Sequence, residues 1–152
     1  MTPANETTLC FVPLDKLHLD EVLAIEVEAY PEPWTRGMFR DEIRNKKSYF
    51  YVAFVEQALV GYGGFWLVLD EAHITSLTIR DTMRSRGLGR RLLEFIEDAA
   101  RRSGARMTTL EVRESNYRAR RLYNSAGYRI VGFRRGYYAK TDESAIVMLK
   151  EL

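Results

Sequence analysis

Cysteine and histidine are nearly absent from this chain, and no long hydrophobic run occurs in it. The single Cys10 excludes an intramolecular disulfide and suits a reducing compartment, so a cytoplasmic location is expected. His18 and His73, with that lone thiol, make no metal-ligand cluster, so no metal is expected. His73 lies inside a strand-like pattern and reads as structural or surface-facing. The longest uncharged run, residues 57–69, falls short of the roughly 20 residues a membrane helix needs. The stretch Met1-Thr2-Pro3-Ala4-Asn5-Glu6 has no basic segment leading into an apolar one, so no secretory signal is expected. Repeats, low-complexity tracts and linkers are also missing. One domain over residues 1–152 is the expectation, with residues 1–6 as a loose tail.

What is present is an ordinary globular composition, 46% hydrophobic and 29% charged, with an uneven charge distribution. Residues 1–79 hold 6 Lys and Arg against 12 Asp and Glu, a net of −6. Residues 80–152 hold 17 against 9, a net of +8. A basic half suits a polyanion, either a phosphate-bearing cofactor or nucleic acid. It equally suits a solvated surface whose two halves pair in the fold.

Hydrophobic periodicity predicts strand at 9–13, helix at 17–29, and helix at 36–45 behind a Thr35 N-cap. The first helix has Leu19, Val22, Leu23, Ile25 and Val27 as its apolar positions. Strands follow at 49–55, 58–69 and 72–80, then a long amphipathic helix starting near Gly87 and stopped by Ser103-Gly104. A strand at 107–113, a helix at 116–126 ending at Gly127, and strands at 128–135 and 145–149 complete the chain. The order β-α-α-β-β-β-α-β-α-β-β implies a mixed sheet with helices, α/β or α+β in class.

Between the third of the central strands and the long helix lies Arg84-Ser85-Arg86-Gly87-Leu88-Gly89-Arg90. A strand turning through glycines into a helix leaves unpaired N–H groups that suit phosphate oxygens. Gly87 and Gly89 allow close backbone approach, and the arginines add positive charge. No Gly-Lys-Ser/Thr follows, so this is not a Walker A loop. Leu92 stands where a dinucleotide fingerprint needs glycine. On the loop alone, a plain strand-to-helix turn with solvated arginines reads equally well.

A second motif follows at compatible spacing. Leu110-Glu111-Val112-Arg113 is succeeded by Ser115-Asn116, Leu122-Tyr123 and Gly127-Tyr128. Together with Arg-x-x-Gly-x-Gly, this order resembles the GNAT superfamily of N-acetyltransferases, and within it the RimI type, which acetylates ribosomal-protein alanine. Pro33-Trp34-Thr35, Leu69-Asp70-Glu71-Ala72 and Arg134-Arg135-Gly136-Tyr137-Tyr138 add to the likeness, which spans roughly residues 10–150.

The resemblance implies a mostly antiparallel sheet, helices on both faces, and two central strands splayed into a cleft for acetyl-CoA. It implies cofactor contacts from Leu77, Thr78 and Ile79, from Arg84, Ser85, Arg86, Gly87, Leu88, Gly89 and Arg90, and from Asn116. It implies Glu111 as general base and Tyr123 as general acid, with Trp34, Tyr137 and Tyr138 at the peptide entrance. Arg84, where the family often has Gln, and Thr78, where the RimI type often has Ala, depart from the pattern. Without the resemblance, Glu111 reads as a solvent-facing strand carboxylate, Tyr123 as core and Asn116 as a helix cap.

The chemistry itself asks for such a pair. An N-terminal amine has a pKa of about 7.7–8.0 and is mostly ammonium at neutral pH. A carboxylate must take its proton, and in a partly apolar cleft that carboxyl is expected to rise toward the working range. The leaving thiolate is best protonated, which a tyrosine hydroxyl can do.

The resulting expectation is direct acetyl transfer from acetyl-CoA to a protein N-terminus, the alanine of a small-subunit ribosomal protein, without membrane or required nucleic acid. A broad NatA-like N-terminal acetyltransferase, a small-amine GNAT and an RNA- or ribosome-binding module stay open. Oligomeric state is not legible.

Overall fold

A computed structural model describes residues 8–152; the expected tail at residues 1–6 lies outside the described residues. Strand β1 (Leu9–Pro13) is followed by a single 3-10 turn (Lys16–His18) and helices α1 (Leu19–Ala29) and α2 (Arg36–Arg44). Strands β2 (Ser48–Val55), β3 (Ala58–Val68) and β4 (Glu71–Ile79) come next. After helix α3 (Leu88–Arg102) run β5 (Met107–Arg113), α4 (Tyr117–Ser125), β6 (Arg129–Tyr138) and β7 (Glu143–Glu151). The element order is the one the periodicity predicts, because alternation of two and of 3.6 is written locally in the chain.

One expected helix differs at its start. Asp15 accepts from the Leu17 N–H, and its own N–H donates to His18 Nδ1, closing a capping box over one 3-10 turn. The α-helix therefore begins only at Leu19. Its buried face is Leu19, Val22, Ile25 and Glu26. Val27, expected on the apolar stripe, is exposed.

The strands form one mixed sheet in the order β1-β2-β3-β4-β5-β7-β6. Helices α3 and α4 cover one face, where Leu92, Leu93 and Ile96 pack on Phe65, Ile74 and Leu110. Helices α1 and α2 cover the other, where Val22, Ile25 and Phe39 meet Phe50, Val52 and Tyr62. Burying each such aliphatic side chain stabilises the fold by roughly 1.5–3 kcal/mol. Among the described residues no helix is long and apolar enough to cross a membrane.

The strand pair β4 and β5 decides where function sits. They are the sheet's parallel neighbours, and they pair only over Glu71–His73 against Met107–Thr109. Beyond that, β4 stays on β3 out to Ile79, and β5 stays on β7 out to Arg113. A register shift between Gly64 and Phe65 leaves Thr75 as an extra residue in β4 at the start of this divergence. Such a bulge bends the strand and increases its twist. On β3, a Cβ at Gly61 would stand 2.5 Å from the Thr78 carbonyl oxygen, so only glycine lets β4 lie this close.

Candidate active site

The split between β4 and β5 exposes one edge of β4. The Arg80 N–H donates to the Val60 carbonyl at 2.7 Å, on the β3 side. Strand alternation therefore turns the Leu77 and Ile79 N–H groups to the open edge. A cavity of about 690 Å³ runs along this edge. It is lined by Leu77 and Ile79, by Arg84, Ser85, Gly87, Leu88, Gly89 and Arg90, and by α4 through Asn116, Ala119 and Leu122.

The loop at its far end has an anion-binding build. Gly87 is the N-cap of α3 in the left-handed region (φ 77°), and no side chain caps the helix. Ser85 also has positive φ (65°). The first N–H groups of a 15-residue helix thus face the cavity without side-chain acceptors. The arginines divide their work. Arg84 donates to the Ile79 carbonyl at 3.3 Å and to Asp81 at 3.1 Å, bracing the loop against the end of β4. Arg90 reaches Ser125 Oγ at 2.8 Å and ties α3 to α4. Arg86 is exposed and is not part of the cavity wall.

A second cavity, of about 540 Å³, holds both expected acid–base residues, Glu111 and Tyr123, together with Trp34, Tyr137 and Tyr138. Tyr30, Leu77, Arg113, Asn116, Ala119 and Tyr123 line both cavities, so the two meet at the split. Glu111 and Tyr123 approach from opposite sides of the sheet. Leu110, Val112 and Tyr123 belong to the α3–α4 core, and Glu111, between them in β5, faces the other way. Asn116 accepts from the Ala119 N–H at 3.2 Å, so the side chain expected at the cofactor also caps α4. Thr78, expected at the cofactor, lines neither cavity: its hydroxyl is 2.6 Å from that of Tyr30, and its carbonyl is turned toward Gly61 of β3.

Electrostatics correct one expectation. The Glu111 carboxyl is held below the usual carboxylate range, not raised toward neutrality. Its hydrogen bond with His73 is the main cause; burial opposes it, and the charges of His73 and Arg134 reinforce it. Oε2 lies 2.5 Å from His73 Nε2, and Oε1 lies 3.5 Å from Arg134. Cleft desolvation is outweighed because two basic side chains converge on one carboxylate. The Tyr123 phenol is pushed up, chiefly by burial, and stays protonated at any physiological pH. Tyr138 is pushed up to about 12, burial outweighing the nearby Arg113 charge.

Several site residues lie outside the motifs. Glu26 is buried on the floor of the second cavity, accepting from Tyr62 Oη at 2.7 Å and from the Trp34 N–H at 2.9 Å. Its carboxyl is raised by burial, against the lowering of those two donors. A carboxylate on the buried face of an otherwise apolar helix stripe is a legible signal once the helix register is known. His73, expected as structural or surface-facing, is partly exposed and hydrogen-bonded to Glu111. Arg113 is visible in the motif but acts through contacts that no local pattern announces. Among the described residues no cluster of three or more His, Cys, Asp or Glu could hold a metal ion.

A split parallel pair and a glycine-capped anion loop thus form a joined cleft with Glu111 and Tyr123 at its junction. Residues 19–128 match the acetyltransferase (GNAT) family, and the chain belongs to that family. The [ribosomal protein bS18]-alanine N-acetyltransferase of Escherichia coli (strain K12) is 32% identical over 89% of this chain and 92% of its own. The crystal structure of the ribosomal-protein-S18-alanine N-acetyltransferase from Escherichia coli superposes with a TM-score of 0.86 at 28% identity, covering 95% of this chain and 94% of that one. Ard1 from Thermoplasma volcanium shares the fold, with a TM-score of 0.87 at 22% identity, over 95% of this chain and 97% of that one. The chain is therefore an N-acetyltransferase of mixed α/β GNAT architecture.

Proposed function

We propose that this chain transfers the acetyl group of acetyl-CoA directly to the N-terminal α-amine of a protein, the target being the N-terminal alanine of a small-subunit ribosomal protein. The observation that carries this reading is the placement of Glu111 and Tyr123 on one cavity, where it meets the cavity along β4. The family supplies the reaction class. The bS18-alanine activity named for the Escherichia coli relative supports the target.

The first cavity suits acetyl-CoA: the uncapped start of α3 takes the pyrophosphate, and the open edge of β4 takes the amide-bearing arm. When bound, the cofactor supplies an activated acetyl thioester. The N–H groups of Leu77 and Ile79 then serve as donors for the negative charge that develops on the acetyl oxygen. Glu111 receives the proton of the incoming ammonium, directly or through one water. The Tyr123 hydroxyl hydrogen-bonds the departing sulfur and yields its proton as charge grows there. Burial keeps this phenol protonated and so available as the donor, and the phenolate regains its proton from solvent once the thiol has left. Trp34, Tyr137 and Tyr138 form the aromatic entrance through which a peptide N-terminus passes. Glu26, Glu32 and Glu111 outnumber Arg113 on the walls, which favours a cationic amine over an anionic acceptor.

Mass spectrometry of peptides incubated with enzyme and acetyl-CoA tests this reading. An Ala-starting ribosomal peptide is expected to gain one acetyl group on its α-amine, while Met-starting peptides stay unmodified. Glu111→Gln and Tyr123→Phe are expected to lower kcat by roughly 100-fold or more. Acetylation of Ala- and Met-starting peptides alike would make the enzyme a broad N-terminal acetyltransferase. Turnover of small amines without peptides, or salt-sensitive RNA binding without CoA binding, would overturn the reading.

A further inference from the structure

Glu111 presents a difficulty for a base. It is held ionised by two basic neighbours, so by itself it is a poor acceptor for an ammonium proton. The other carboxylates on the same cavity offer no substitute. Both oxygens of Glu26 already accept hydrogen bonds, and Glu32 is engaged by the Lys140 N–H at 2.8 Å and by Arg113 at 3.8 Å.

The position of His73 answers that difficulty. Its Nε2 is 2.5 Å from Glu111 Oε2, yet the ring lines neither cavity. Its side chain is 34% exposed against 11% for Glu111. Glu111 thus fronts the cavity and His73 stands behind it, toward solvent. His73 pairs with Thr109 in the last register position shared by β4 and β5, so backbone pairing holds the two side chains together at the apex of the split. The groups around the ring are few. Glu111 faces it from β5, and the Trp66 indole packs edge-on from β3 at 6.4 Å. Arg134 from β6 reaches only the far oxygen of Glu111, and Glu71 is occupied by the Thr109 hydroxyl. No second acid or base competes for the imidazole among these contacts.

We infer that His73 is a relay and positioning residue that carries the substrate's proton from Glu111 to solvent. This rests on the proposed role of Glu111. The amine N–H bond breaks and its proton goes to the Glu111 carboxylate. His73, as the Nδ1–H tautomer, takes that proton at Nε2, leaving an imidazolium hydrogen-bonded to a regenerated carboxylate. The imidazolium gives its Nδ1 proton to water, and exchange through solvent returns the remaining proton from Nε2 to Nδ1, which resets the pair. One proton moves at each step, and no electron is transferred. The acceptor is then the pair, which separates the low proton affinity of Glu111 from its ability to work as a base.

The decisive experiment compares His73→Gln and His73→Ala with wild type on a peptide substrate with a free N-terminal amine, in the presence of acetyl-CoA. Glutamine can still hydrogen-bond Glu111 but cannot carry a proton. Both variants are expected to lose about 10- to 100-fold in kcat, with the KM for acetyl-CoA changed by less than about twofold and the acid limb of the kcat profile displaced from its wild-type position. Added imidazole is expected to restore kcat in His73→Ala, in proportion to its neutral form, and to leave Glu111→Gln inert. A His73→Gln enzyme with wild-type kcat and pH profile overturns the relay. So does a His73→Ala enzyme whose loss resists imidazole, because the histidine is then only structural. Full activity in Glu111→Gln would instead overturn the role of Glu111 itself, and the relay with it.

Discussion

The guanidinium carbon of Arg113 lies 3.9 Å from the centre of the Tyr138 ring. From there the same side chain donates to Thr141 Oγ1 at 2.7 Å and pairs with Glu32 and Glu143, each at 3.8 Å. Lys140 adds bonds to the Pro31 carbonyl and to Glu32. The turn between β6 and β7 is thereby clasped to the loop between α1 and α2, over the point where the two cavities meet. Arg113 to Met keeps the length of the side chain and removes these contacts. Because Arg113 lines both cavities, the KM for peptide and for acetyl-CoA should both rise, lowering kcat/KM by about tenfold. Steady-state kinetics with each substrate varied in turn would show a rise in only one KM if the clasp serves a single cavity.

Tyr123→Phe isolates the hydroxyl. The ring stays in the core against Tyr128, with centroids 5.6 Å apart, so the thermal midpoint should hardly move. The kcat should fall about 100-fold with acetyl-CoA binding intact. A variant that unfolds earlier while keeping its kcat would return Tyr123 to a packing role.

Glu26 links stability to pH. Burial raises its carboxyl, so the folded protein holds that proton more tightly than the unfolded chain does. The associated stability is complete below the unfolded value of about 4.3 and is lost as pH rises through the folded one. Glu26→Gln does not titrate. Wild type should therefore lose stability relative to Glu26→Gln as pH rises above about 4.3 and through the raised folded value. Urea unfolding of both proteins across that range checks the sign, and a constant difference would contradict the raised carboxyl.

Gly87 tests the anion loop. A Cβ there would meet nothing within 4 Å, so the cost of Gly87→Ala comes from φ 77° alone. That cost is about 1 kcal/mol, or a fall of roughly 2–4 °C in Tm. Relaxation of the backbone would also turn an N–H away from the phosphates, raising the Kd for CoA by about tenfold. Calorimetric titration with CoA that finds no change would remove the helix start from the binding site.

The order of elements, the glycine loop and the acid–base candidates were legible because each is carried by neighbours in the chain. Alternation in residues 107–113 is enough to set Glu111 opposite Leu110 and Val112, and Leu88, Leu92 and Ile96 are enough to mark one face of α3. The environment of Glu111 was not legible, since its pKa follows from His73 and Arg134, which arrive from β4 and β6. Nor was the setting of Glu26, whose partners, Tyr62 and the Trp34 N–H, arrive from β3 and from the loop before α2.

The sequence by itself determined which segments become strands and helices, and which short motif turns a strand into an anion-capping helix. Those properties depend on side-chain period and on the backbone freedom of Gly87, both local. Only the tertiary structure decided that β4 and β5 part after His73 and Thr109, that their gap joins two cavities, and that a low-affinity carboxylate stands with a histidine behind it. Strand register and the convergence of charges across 38 residues of chain are set by how the sheet closes, and no local pattern encodes them.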